Sequence, residues 1–148
     1  MELRQQIDQE LKAAIREKNE DKRDAIRSLL TAIKNKEKEL KRLPNDTEIQ
    51  QLIATQIKQR RESAEQYNKA GRKDLADKED HEISILQTFL PEALTPEQLN
   101  ELIEGAIKEA DARFPKDMGK VMKILMPKIA GRADGKQVNE LVRAKLQS

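Results

Sequence analysis

Apolar residues recur along this chain at the three- and four-residue spacing of an amphipathic helix. Leu3, Ile7, Leu11 and Ile15 form one stripe and predict a short first helix. Asn19-Glu20-Asp21 interrupts the pattern and offers a cap to the next helix. The second carries Ile26, Leu29, Leu30, Ile33 and Leu40 and is expected to end near Leu43-Pro44, because proline restricts its predecessor and cannot continue the ladder. Asn45-Asp46-Thr47-Glu48 starts a third helix whose inward stripe is Leu52, Ile53, Ile57, Ala64 and Tyr67, with Gly71 as a left-handed C-terminal cap. A fourth begins near Asp74 and carries Leu75, Ile83, Leu86, Phe89 and Leu90. Short connections favour antiparallel neighbours.

Leu90-Pro91-Glu92-Ala93-Leu94 reads as a joint. Thr95-Pro96-Glu97-Gln98 is a strong helix start, with Thr95 as N-cap, Pro96 at the first helical position and Gln98 three residues after the cap. The fifth helix carries Leu99, Leu102, Ile103, Ala106, Ile107 and Ala110 and is expected to end at Phe114-Pro115. Asp117 is expected to cap a sixth helix with Met118, Val121, Met122 and Leu125 inward, which Pro127 either ends or kinks. After a tight turn over Gly131-Arg132-Ala133-Asp134-Gly135, Asp134 caps a seventh with Val138, Leu141, Val142 and Leu146 inward. The expectation is an all-α chain: an N-terminal four-helix hairpin-type bundle over 1–92, then a three-helix domain over 93–148, about the smallest size that buries its own core.

Composition agrees with this pattern. Charged residues make up 38% of the chain and aromatics 2%, so aliphatic side chains must fill any core. The charges interleave with regularly spaced aliphatics, which reads as solvated helix faces and argues against disorder. Their distribution is uneven. Residues 1–91 hold 19 Lys and Arg against 18 Asp and Glu, residues 92–114 hold 2 against 6, and residues 115–148 hold 8 against 3. A basic C-terminal end thus follows an acidic helix. The chain has no cysteine, which excludes disulfides, thiolate metal sites and a cysteine nucleophile. No apolar leader or 18-residue apolar run is seen, so no membrane association is expected and a cytoplasmic location is the default.

Candidate catalytic chemistry is sparse. His81 is the only histidine, and Ser84 shares its helix face. A nucleophilic centre also needs an orienting group and an oxyanion hole, and the motif supplies neither. Glu79, Asp80 and Glu82 diverge around a helix from His81 and do not converge on one ion. His81 therefore reads as a solvated or packing residue. No glycine-rich phosphate cradle follows a strand, and no catalytic residue, metal or cofactor is expected.

Two basic constellations remain. One is Lys58, Arg60 and Arg61 on the third helix with Arg72 and Lys73 just past it. One of Arg60 and Arg61 is expected to pair with Glu79 or Glu82 of the next helix. The set reads either as an ion-pair network with arginine stems lying on the bundle or as a surface for RNA or protein. The other is Lys120, Lys123, Lys128, Arg132, Lys136, Arg143 and Lys145. Cations, the free amides of a helix start and the helix dipole together suit phosphate, although a glycine-capped hairpin with solvated lysines fits the same spacing. Asp134 and Glu140 disfavour docking in a DNA groove. With only Tyr67, Phe89 and Phe114 as aromatics, stacking on single strands is poorly served. Backbone and shape recognition of folded RNA is left.

Asp117-Met118-Gly119-Lys120-Val121-Met122, Met126-Pro127-Lys128, Gly131-Arg132-Ala133-Asp134-Gly135-Lys136 and Val138-Asn139 resemble the YqeY family, which shares its C-terminal domain with the tail of the B subunit of tRNA-dependent amidotransferases. The run from Lys58 to Tyr67, then Ala70-Gly71-Arg72, Asp74-Leu75 and Leu90-Pro91, extend the resemblance over nearly the whole chain. It implies a link to tRNA, with Lys120, Lys128, Arg132, Lys136 and Asn139 as RNA contacts; Lys58, Arg60, Arg61 and Arg72 stand beside these as a secondary basic patch read from spacing alone. The resemblance further implies an accessory role in glutamine-dependent carbon–nitrogen ligation, exercised only within a complex, since the large activating domain of the B subunit is lacking. An amidotransferase or an aminoacyl-tRNA synthetase is the implied protein partner. The alternative is an adaptor that recruits such an enzyme without touching RNA.

Overall fold

A computed structural model describes residues 2–129 and 132–147. The described residues are all-helical: α1 (Leu3–Arg16), α2 (Glu20–Leu40), α3 (Asp46–Lys69), α4 (Lys73–Gln87), α5 (Pro96–Glu109), a single 3-10 turn (Pro115–Asp117), α6 (Met118–Ile129) and α7 (Gly135–Gln147). The chain divides into two compact units, Met1–Leu90 and Pro91–Ser148. No helix among the described residues is long and apolar enough to cross a membrane.

In the first unit α3 packs along α4, and α2 touches α1, α3 and α4. Its core is built from Leu3, Ile7, Ile26, Leu29, Ile33, Ile49, Ile53, Ile57, Ile83, Leu86 and Phe89. In the second, α6 packs against α5 and α7. Leu99, Ile103, Val121, Leu125, Ile129, Val138, Val142 and Leu146 close that core. Branched aliphatics of this kind each contribute about 1.5–3 kcal/mol when fully buried.

The helix starts follow the sequence closely. Asn45 and Glu48 form a reciprocal capping box at α3, and Thr95 and Gln98 form another at α5 behind Pro96. Asp134 caps α7, its carboxylate accepting from the amide of Lys136 at 3.1 Å. Gly71 ends α3 at φ +73°. The amides of Gly71 and Arg72 reach back to the carbonyls of Asn68 and Tyr67, the paired bonds of a left-handed cap.

Some expectations need correction. The same paired bonds end α5 at Glu109, short of Phe114-Pro115: Asp111, at φ +51°, donates to Lys108 and the next amide, Ala112, to Ile107. No glycine marks this stop, so the sequence hid it. Asp117 does not cap α6 from in front. Its carboxylate reaches backward to the amides of Arg113 and Phe114 at 3.0 and 3.2 Å, and those bonds hold it below the usual aspartate range. Pro127 does not end α6, which continues to Ile129. Ile15 and Leu141 are exposed, at 50% and 39%, and do not extend the buried stripes of α1 and α7. Gly131 lies outside the described residues.

One buried charge cluster interrupts the aliphatic packing between α3 and α4. Arg60 reaches Glu79 at 3.3 Å and also bonds Glu82. The sequence left open whether Arg60 or Arg61 makes this pairing, and it is Arg60. The Arg60 and Glu82 side chains are 16% and 7% exposed. Burial pushes the Glu82 carboxyl above its ordinary range, against the pull of Arg60. Removing one partner of a buried pair strands the other charge, whereas neutralising a carboxylate that already shares its arginine does not.

Arg60→Ala is therefore expected to cost about 3 kcal/mol in urea unfolding, and Glu82→Gln to stay within about 1 kcal/mol of the parent. Because the folded pKa of Glu82 is raised, its ionised form is a liability above that pKa, and the liability fades as pH falls towards the unfolded value. The stability gap between Glu82→Gln and the parent should shift accordingly between pH 7 and pH 4.5, with the parent gaining. At Lys18, which adopts φ +57° after α1, substitution by glycine should raise stability by about 1 kcal/mol, because only glycine enters that region without a Cβ penalty.

Candidate nucleic-acid interface

The basic C-terminal residues sit on α6, α7 and the segment between them. The short connection and the contact of the 3-10 turn with α7 make α6 and α7 an antiparallel pair, since that turn immediately precedes α6. Lys120, in the first turn of α6, is about 12 Å along the helix axis from Lys128 and about 14 Å from the end of α6, beyond which Arg132 and Lys136 follow. The residues implied by the resemblance do not form one tight cluster.

Their engagement also differs. Lys128 faces Glu109 of α5 at 3.7 Å, both side chains being about half exposed. Such a pair is worth little and yields readily to a ligand. Arg132 is committed to structure. Its Nε donates to the Glu92 carbonyl at 3.2 Å, and its own carbonyl accepts from the Leu94 amide at 2.9 Å. Two bonds thus fasten the segment before α5 to the turn before α7. The sequence did not show this, because the partner is a main-chain carbonyl 40 residues away. Lys145 pairs with Glu104 of α5 at 3.3 Å.

The exposed side of α7 is different. At 100° per residue, Lys136, Asn139 and Arg143 fall within an arc of about 60° on one flank of the helix, beside the buried stripe of Val138, Val142 and Leu146. All three are exposed while those valines are fully buried. Lys136 stands in the first turn of α7, where its own amide is taken by the Asp134 carboxylate. Glu140 shares the flank of this face and is its one carboxylate. Arg143 belonged to the basic set of the sequence without being singled out, and helical position brings it into line with Lys136.

The secondary patch comes apart. Arg60 is spent on Glu79 and Glu82. Arg72 forms two bonds to Asp74, at 3.2 and 3.1 Å, which raise the arginine pKa and lower that of the aspartate. Lys58 and Arg61 remain exposed on α3. His81 is half exposed, with Nε2 3.9 Å from Asp21. Ser84 donates its hydroxyl to the His81 carbonyl, so no serine–histidine relay exists. No group of three or more metal-ligating side chains converges among the described residues.

Comparison with known proteins gives this arrangement its context. A family described as Yqey-like protein matches residues 4–146. The chain belongs to the YqeY family. Curated relatives include the altered inheritance of mitochondria protein 41, mitochondrial, of Pyrenophora tritici-repentis, 32% identical over 92% of this chain and 78% of the relative. The protein of the same name from Vanderwaltozyma polyspora is 31% identical over 74% of this chain and 62% of its own length. That from Eremothecium gossypii is 38% identical over 57% of this chain and 46% of its own. The chain thus spans between about half and four fifths of these relatives.

Arg132→Ala should lower the unfolding free energy of the second unit by about 1 kcal/mol, the worth of one partly exposed hydrogen bond. Lys136→Ala, with no bond to lose, should stay within about 0.5 kcal/mol. Denaturation monitored by hydrogen exchange in Pro91–Ser148 separates the two.

Proposed function

We propose that this YqeY-family protein binds tRNA, or a similarly folded RNA, through the exposed side of α7 and the adjoining turn. In this reading it acts as an accessory factor in tRNA-dependent amidation without an active site of its own. The observation that carries the reading is the coincidence of Lys136, Asn139 and Arg143 on one exposed stripe of α7. Point charges suit phosphate, and the lack of exposed aromatics along the stripe favours the backbone of a folded RNA over unstacked bases. The family resemblance supplies the tRNA, and with it an amidotransferase or synthetase as the associated enzyme. The four-helix bundle followed by a three-helix tail domain is the architecture this reading assumes. Its compartment is one that holds tRNA, a condition met by the cytoplasm and equally by mitochondria, the location that the relatives' names carry.

Arg132 and Lys128 enter the reading with altered roles. Arg132 shapes the turn that positions Lys136, and Lys128 is recruited from a weak pair. The variants that report on binding alone are therefore Lys136→Ala and Arg143→Ala.

In filter binding with unfractionated tRNA, the double variant should lose about tenfold in affinity near 0.1 M salt, and the slope of log affinity against log salt should flatten by about 2. Equal binding by parent and variant, or no binding by the parent at low salt, overturns the reading. Nuclease-resistant co-purification with a synthetase or amidotransferase in that event would mark the protein as an adaptor.

A further inference from the structure

The solvent side of α2 carries a row of cations that belongs to neither constellation of the sequence. Arg27, Lys34, Lys38 and Lys41 fall within an arc of about 60° over about 21 Å of helix axis, with Thr31 at its edge. All are exposed, opposite the buried Ile26, Leu29 and Ile33. Their side chains make no hydrogen bond or ion pair among the described residues. The neighbouring cations of the same segment do: Lys22 with Glu10, Arg23 with Asp24, Lys36 with Glu39 and Arg42 with Glu48. The acids Glu20 and Asp24 lie at the start of α2, ahead of the row. Glu37, part-buried between the row and the core side, is the nearest carboxylate by helix position. At its far end the row opens onto a shallow cleft of about 540 Å³ lined by Lys34, Lys38, Lys41 and Arg42, with one carboxylate, Glu37, and one apolar side chain, Leu43.

The helix dipole accounts for cations in the last turn, and so for Lys38 and Lys41 taken singly. It gives no reason for Arg27 and Lys34, which stand further back. The arc from Arg27 to Lys41 holds no acid, whereas the exposed side of α3 interleaves Lys58 and Arg61 with Glu62 and Glu65.

We propose that this face of α2 tracks the phosphate backbone of a structured RNA. A straight row of unpaired cations on a rigid helix complements the dense, regular negative charge of a duplex strand. The one exposed apolar side chain at the row is Leu43 in the cleft, 71% exposed, and a single leucine is too little apolar surface to hold a helix in a bilayer. The row also lacks the buried aromatic or aliphatic anchor on which protein partners depend. The surface is sequence-indifferent by construction, because it presents charges and no base-reading geometry. The inference does not depend on the α7 stripe.

The test is a salt titration of the full chain against a hairpin RNA duplex, comparing the parent with R27Q/K34Q/K38Q. Glutamine keeps helix propensity and removes only charge, and unfolding curves verify the fold. The triple variant should lose tenfold or more in affinity near 0.1 M salt, with the salt slope reduced by about 2–3. If it is poorly folded, Lys34→Gln and Lys38→Gln singly should each reduce the slope by about 1. An unchanged slope overturns the inference. So does binding of polyglutamate or phosphatidylserine vesicles by the parent as tightly as RNA. Loss confined to the α7 variants leaves the proposed function standing and sinks this inference. Loss confined to the α2 variants does the reverse.

Discussion

The structure depends on one constraint: two small units must each close a core without aromatic mass. The chain holds one tyrosine and two phenylalanines, and only Phe89 is buried. Isoleucine, leucine, valine and alanine do the rest. Branched aliphatics on narrow helical stripes seal a small interior only if the helices lie close together. The remainder of each helix then faces solvent, and with 38% charged residues it is covered in ions. The exposed cations of α2 and α7 lie on those faces.

Within this frame the Arg60 cluster is the main exception. A guanidinium shared between Glu79 and Glu82 sits where the α3 stripe would otherwise be apolar. Buried ion groups contribute little net stability compared with well-packed hydrophobics, but they penalise misalignment strongly. The cluster ties α3 to α4, and it removes Arg60 from any surface that a ligand could use. Arg132 plays a comparable part in the second unit, where it fastens a chain segment through a carbonyl. In both units a cation that looked available is consumed by the fold, and the remaining exposed cations acquire their meaning from the helix side they occupy.

The sequence was most legible where local chemistry decides. Asn45 with Glu48, Thr95 with Gln98, Asp134 and Gly71 announced their caps because side chain and backbone interact within a few residues. A pairing of Arg60 or Arg61 was anticipated as well, since a wide cationic sector on a packed helix has to meet carboxylates somewhere. What stayed hidden depends on distance or angle. The stop at Asp111 uses a left-handed residue without glycine, and the exposure of Ile15 and Leu141 reflects where neighbouring helices end. The α2 row was invisible because lysine and glutamate alternate in the linear order of residues 34–39 and separate only when wound onto a helix. The candidate RNA contacts were legible as a basic region, while their division into free, weakly paired and structural residues was not.

The central claim is that α7 presents the RNA-facing surface of this YqeY-family protein. The most direct measurement is an NMR titration of isotopically labelled protein with tRNA, read amide by amide. The account predicts shifts and broadening concentrated at Gly135–Arg143, strongest at Lys136, Asn139 and Arg143, with the buried valines of α7 moving little. Perturbations absent from α7, or confined to the α3–α4 contact around Arg60, would contradict it.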